Sequence, residues 1–223
     1  MKEDRKFDLD DVAIVPSIVS EIDSRSECDI KTDGGYLPLM AAPMDTVVCE
    51  KNINRYIDND IIPCVPRGLY HDYGSYNRNM VFQSYGLGEI EYDLKTLMDN
   101  RMKRDTDRPQ YWRYKYVLID IANGHMKRLV DALKLMKKHT PDVIVMVGNV
   151  AHPLTYKNLA LAGADYVRCS IGTGAGCTTA ANVAINYPMG SLIIECRQLK
   201  EEGKKSRPFI VSSPRRIRAV YIL

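Results

Sequence analysis

The chain predicts an α/β fold built on a parallel sheet, and three observations lead there. Short apolar runs alternate with amphipathic stretches along most of its 223 residues. The repeated strand-then-helix order calls for right-handed crossovers between parallel strands. The length fits one domain with a sizeable core, including a slightly short α/β barrel. No repeat, low-complexity tract or linker divides the chain.

The candidate strands, in order, are Leu37–Ala42, Ile61–Val65, Val81–Ser84, Tyr116–Asp120, Val143–Val147, Tyr166–Cys169 and Pro208–Val211. Between them lie helical patterns. Leu129, Val130, Leu133, Leu135 and Met136 form an apolar stripe, and Lys127, Arg128, Lys134, Lys137 and Lys138 form its solvated outer side. Leu159–Ala162 reads as a helix closed by Gly163, at the position where glycine accepts the left-handed conformation.

An apolar content of 45% with mixed charge indicates a globular protein, and a net charge of +3 gives little support to nucleic-acid binding. The cluster from Arg101 to Tyr114 mixes bases, acids and aromatics, and it reads as a helix end and loop. Six cysteines (Cys28, Cys49, Cys64, Cys169, Cys177, Cys196) lack the paired spacing of zinc sites. With a charged N-terminus and no apolar run of membrane length, they are expected as reduced thiols in a cytoplasmic protein without membrane contact.

The stretch richest in chemistry is Ser170-Ile171-Gly172-Thr173-Gly174-Ala175-Gly176-Cys177-Thr178-Thr179. Its alternating glycines leave backbone amides and carbonyls uncovered, and it presents a thiol beside two hydroxyls. It reads either as a ligand-holding loop with a nucleophile or as a glycine-rich turn with a buried thiol.

This loop resembles the Gly-x-Gly-x-x-Cys-Thr-Thr active-site loop of the IMP dehydrogenase and GMP reductase family. Further stretches resemble the family in the same order: Asp10–Pro16, Ala42–Val47, Asp120-Ile121-Ala122-Asn123-Gly124-His125, Gly148–Val150 and Ala162–Asp165. The resemblance covers nearly the whole chain to about Val211. It implies a (β/α)8 TIM barrel, incomplete here because the eighth βα unit is missing. Residues 1–211 are then the barrel domain and 212–223 an atypical basic tail. The interval from Asp45 to Asp120 has no room for the regulatory modules of IMP dehydrogenases, and Asp-Ile-Ala-Asn-Gly resembles the GMP reductase motif more closely.

What the resemblance implies is an NADPH-dependent conversion of GMP to IMP and ammonia. Cys177 is the expected nucleophile and Thr179 the residue that helps protonate the leaving group. Asp120, Asn123 and Gly124 are expected near the nicotinamide, with a strand-end cap as the other reading of Asp120. Met44, Asp45 and Asn149 are expected at the nucleotide, though Met44 also reads as a packing residue and Asn149 as an ordinary turn. The carbonyls of Gly172, Gly174 and Cys177 are expected to hold a monovalent cation such as potassium. Relatives are tetramers, so a homotetramer is a candidate assembly.

The sequence also departs from the family. Ala175 stands in place of a phosphate-binding serine, and Gly176 in place of a branched residue. After Val211 the family's Asp-Gly-Gly is replaced by Ser212-Ser213-Pro214-Arg215-Arg216-Ile217-Arg218, which reads as a solvated basic segment. Two alternatives follow. One is an IMP dehydrogenase-type activity, IMP to XMP with NAD. The other is an inactive fragment or accessory subunit that needs a complementing C-terminal chain.

Overall fold

A computed structural model of the chain describes residues 5–69, 80–98, 114–169, 171–172, 178–205 and 218–220. Seven parallel strands form one sheet in strictly sequential order. They are β1 (Met40–Ala41), β2 (Ile62–Val65), β3 (Phe82–Tyr85), β4 (Tyr116–Asp120), β5 (Ile144–Val150), β6 (Tyr166–Cys169) and β7 (Arg218–Val220). Helices α1 (Ile53–Asp58), α2 (Leu87–Met98), α3 (Lys127–His139), α4 (Pro153–Ala162), α5 (Thr178–Val183) and α6 (Met189–Lys205) lie between them in sequence. Neighbouring strands that follow one another in sequence and run the same way are the wall of a (β/α)8 barrel, and the fold is an incomplete one.

Two apolar layers lie on opposite faces of this sheet, because successive side chains of a strand point to opposite sides. Val117 and Ile119 of β4, Val145 and Val147 of β5 and Val167 of β6 pack with Leu129, Leu133 and Met136 of α3, Leu159 of α4 and Leu192 of α6. On the other face Cys64, Phe82, Leu118, Met146 and Tyr166 form a cluster that contains no helical residue. This second cluster is the barrel interior. Phe82 is its centre, with the rings of Tyr116 and Tyr166 at 5.4 and 5.6 Å.

The helices form for local reasons. On α3 the buried residues are Leu129, Ala132, Leu133 and Met136, one stripe at spacings of three and four. Helix α4 begins with His152 as its cap, followed by Pro153 at a position where the missing N–H costs nothing. It ends at Gly163, whose φ of +111° is left-handed, as its sequence predicts. Lys137 then ties α3 to the strand behind it, donating to Asp165 Oδ2 at 3.0 Å and to the Val143 carbonyl at 2.7 Å.

A further strand forms beyond the expected end of the barrel domain. The strand expected at Pro208–Val211 lies outside the described residues, and β7 forms within the segment read as a solvated tail. Its backbone pairs with β6 through Tyr166↔Arg218, Val167↔Ala219 and Arg168↔Val220. A sheet edge carries unpaired N–H and C=O groups, and a short extended segment satisfies them regardless of its charge. The Arg101–Arg113 part of the mixed-charge cluster also lies outside the described residues. Among the described residues no helix is long and apolar enough to cross a membrane.

Candidate active site

Because all the strands are parallel, their carboxyl ends gather on one rim. Asp120 ends β4, and its register partner on β5 is Gly148, whose partner on β6 is Arg168. Glycine between an acid and a base leaves the space for the two side chains to meet. Arg168 Nη1 donates to Asp120 Oδ1 at 2.5 Å, and Arg67, just beyond β2, places its Nε 3.8 Å from Asp120 Oδ2. The Arg168 side chain is only 8% exposed, so its charge is held in the barrel interior by this pair. Its Nε has no hydrogen-bond partner among the described residues.

Gly148 is required here on two grounds. Its φ of +150° suits glycine, and a Cβ at this position would stand 2.6 Å from the Cβ of Arg168 and 2.7 Å from its carbonyl oxygen. No side chain fits between the two strands.

The loop after β4 docks on the end of β5 through its backbone. Ile121 N–H donates to the Gly148 carbonyl at 2.9 Å, Asn149 N–H to the Ile121 carbonyl at 2.6 Å, and Gly124 N–H to the Asn149 carbonyl at 2.8 Å. A Cβ on Gly124 would lie 2.5 Å from that same carbonyl oxygen, so the approach depends on glycine. Asn123 is exposed, and its Oδ1 accepts from the His125 N–H at 3.0 Å. Asn149 Oδ1 is buried and has no hydrogen-bond partner among the described residues. The structure therefore brings Asp120, Asn123, Gly124 and Asn149 together.

Met44 and Asp45 lie on the same rim but at the other side of the sheet, in the loop after β1. The Met44 side chain is 54% exposed rather than packed, and Asp45 Oδ1 accepts from the Thr46 N–H at 3.0 Å. Gly172 has φ of +92°, and a Cβ on it would meet the Asn186 Cβ at 2.4 Å. Gly174 and Cys177 lie outside the described residues, as does the side chain of Thr179, which sits in α5.

The thiol chemistry of the described cysteines is nonetheless informative. Cys64 is fully buried, and loss of solvent pushes its thiol up to about 12 even though the neighbouring Arg168 charge pulls the other way. Cys169 is also raised, first by its hydrogen bond with Cys196, at 4.0 Å between sulfurs, and then by burial. Neither supplies a thiolate near neutral pH. The five described cysteines are free thiols.

Arg168 and Arg67 are the rim residues the sequence reading left unassigned. A signal for Arg168 was present: an arginine flanked by apolar residues in a four-residue strand must be buried, and a buried charge must be paired. No group of three or more His, Cys, Asp or Glu side chains among the described residues is arranged to hold a metal ion.

Residues 111–211 match the family model described as the IMP dehydrogenase / GMP reductase domain. A GMP reductase of Buchnera aphidicola subsp. Acyrthosiphon pisum is 29% identical over 215 residues, covering 88% of this chain and 58% of its own. A GMP reductase of Bacillus subtilis is 30% identical over 184 residues, covering 78% of this chain and 53% of its own. The chain thus spans little more than half the length of these relatives. In fold it is similar to an inosine 5'-monophosphate dehydrogenase of Legionella pneumophila, with a TM-score of 0.62 at 22% identity, over 87% of this chain and 59% of that one.

Proposed function

We propose that the chain, which matches the IMP dehydrogenase / GMP reductase family model over residues 111–211 and is similar to GMP reductases over most of its length, is a GMP reductase-like oxidoreductase that converts GMP to IMP and ammonia. The observation that carries the reading is the rim itself. Asp120, Gly124 and Asn149 meet at the strand ends, next to the strand that leads into the Cys177 loop.

In this reading the sulfur of Cys177 adds to C2 of the guanine ring. The C2–N bond breaks, and the amino group leaves as ammonia with Thr179 assisting its protonation. The cysteine is left joined to C2 as a thioimidate. NADPH, when bound, supplies the hydride that takes the place of the amino group. The C–S bond then breaks, and Cys177 leaves as IMP forms. A thiol suits both halves of this sequence, since it is a strong nucleophile and a good leaving group. The raised Cys64 and Cys169 thiols do not compete for the role.

The residues present fit a nicotinamide ring. Asn123 is exposed at the rim with its Oδ1 already engaged, which leaves its Nδ2–H group for a carboxamide oxygen. Gly124 brings backbone rather than side chain to the same place, and Arg168 fixes the Asp120 carboxylate behind them. Met44 and Asp45 would line the nucleotide from the β1 side, with Asn149 opposite. Of the three carbonyls expected around a monovalent cation only that of Gly172 is described, and no step is drawn through the ion.

The direction from GMP is favoured over the IMP dehydrogenase direction by the Asp-Ile-Ala-Asn-Gly motif and by relatives named GMP reductase. The test is GMP-dependent oxidation of NADPH by the 223-residue chain, with Cys177→Ala as control. Turnover that vanishes in the control supports the reading. IMP-dependent reduction of NAD, with no response to GMP, contradicts it.

A further inference from the structure

We propose that His125 is a positioning residue that latches the loop after β4 onto the start of α4 as a neutral imidazole, and that the latch opens when the ring takes up a second proton. The consequence for cofactor binding rests on the reading of this loop given above; the latch itself stands on geometry.

Both ring nitrogens of His125 and its backbone N–H are engaged. Its Nε2 accepts from the Ala151 N–H at 3.0 Å, its Nδ1 lies 2.9 Å from Thr155 Oγ1, and its own N–H donates to Asn123 Oδ1 at 3.0 Å. A backbone N–H can only donate, so Nε2 must present its lone pair. In the neutral ring the proton then sits on Nδ1 and is donated to the Thr155 hydroxyl. Protonation would set an N–H against the Ala151 N–H and abolish that bond.

The groups that face the ring do not compensate such a charge. His152, the cap of α4, is the titratable neighbour, and its Nδ1 is itself held as an acceptor by the Leu154 N–H at 3.1 Å. Beyond His152 stands the Tyr187 ring at 6.3 Å, whose hydroxyl is committed to Glu195, with Lys6 Nζ 5.9 Å from the ring. Burial first, and His152 second, hold the His125 pKa below its ordinary value. The unfolded chain therefore binds the proton more readily than the folded one. The latch is intact above the unfolded value near 6.5 and is lost as pH falls through the lower, folded value.

The segment it fastens is the one already pressed on β5 by the close approach of Gly124 to Asn149. Releasing His125 removes its side-chain hydrogen bonds to Ala151 and to Thr155 of α4, leaving the backbone bonds of Ile121 and Gly124 to β5 and the apolar packing of Ile121 and Met126 to hold the loop.

The test is hydrogen exchange of the Ala151 amide in the ligand-free 223-residue chain, by NMR at about pH 7.5 and at a low pH where the His125 ring signals show it protonated, corrected for intrinsic exchange. Protection at Ala151 is expected to fall about fivefold more than at Val147 in the sheet, the loss of one net hydrogen bond. His125→Gln, whose Oε1 can still accept, is expected to keep Ala151 protected at both values; His125→Phe is expected to lose it at both. Ala151 protection that does not respond to pH, or that responds equally in His125→Gln, overturns the proposal. Calorimetric binding of NADP+ to the same proteins separates this from the functional reading. An exchange response without NADP+ binding leaves the latch and removes the cofactor role, whereas pH-independent binding with no exchange response removes the latch alone.

Discussion

Arg168 Nη1 meets Asp120 Oδ1 at 2.5 Å across Gly148, the one residue on the intervening strand that leaves them room. The pair sits at the rim of the barrel, with the guanidinium almost wholly buried and the carboxylate partly exposed. Removing one partner strands the other's charge.

Arg168→Met is therefore expected to destabilise the chain by about 3 kcal/mol, the usual cost of breaking a buried pair. Adding Asp120→Asn to that variant is expected to recover part of the loss, because the remaining side chain is then neutral. Chemical denaturation of the single and double variants measures both. A double variant no more stable than Arg168→Met would mean that packing, not charge, carries the effect.

Glycine substitutions should separate two environments. Gly148→Ala places a methyl 2.6 Å from Arg168 Cβ at a left-handed φ and is expected to cost at least about 2 kcal/mol. Gly88→Ala, inside α2 with nothing within 4 Å of its Cβ, is expected to stabilise by about 0.5–1 kcal/mol. Thermal melts of the two variants should move in opposite directions.

Thiol reactivity offers a third check. Cys28 is exposed, whereas Cys64 is buried with its thiol pushed up to about 12. At about pH 8 iodoacetamide is expected to label Cys28 quickly and to spare Cys64 and Cys169 until the chain is denatured. Peptide mapping by mass spectrometry reads the order, and early labelling of Cys64 would contradict the buried inner layer.

Much of this architecture was legible locally. The ranges of β4 and β6 follow from apolar runs bounded by polar residues, and the end of α4 from Gly163. β1 is shorter than Leu37–Ala42, since it pairs with β2 alone and only Met40 and Ala41 find register partners. What was not legible depends on distant contacts. Arg168 and Asp120 are 48 residues apart, and nothing near either one names the other. A three-residue strand beginning with arginine reads as tail until an open sheet edge is there to pair with it. The part of Gly124 as a point of close approach becomes visible only with the Asn149 carbonyl beside it.

The assignment of chemistry is tested most directly by the fate of the transferred hydrogen. The 223-residue chain would be incubated with GMP and NADPH carrying deuterium at the transferable C4 position, and the nucleotide product analysed by mass spectrometry. The proposed reaction gives IMP with one deuterium at C2, and none in the Cys177→Ala variant. Unlabelled nucleotide from a chain that consumes NADPH, or labelled IMP from the variant, would contradict it.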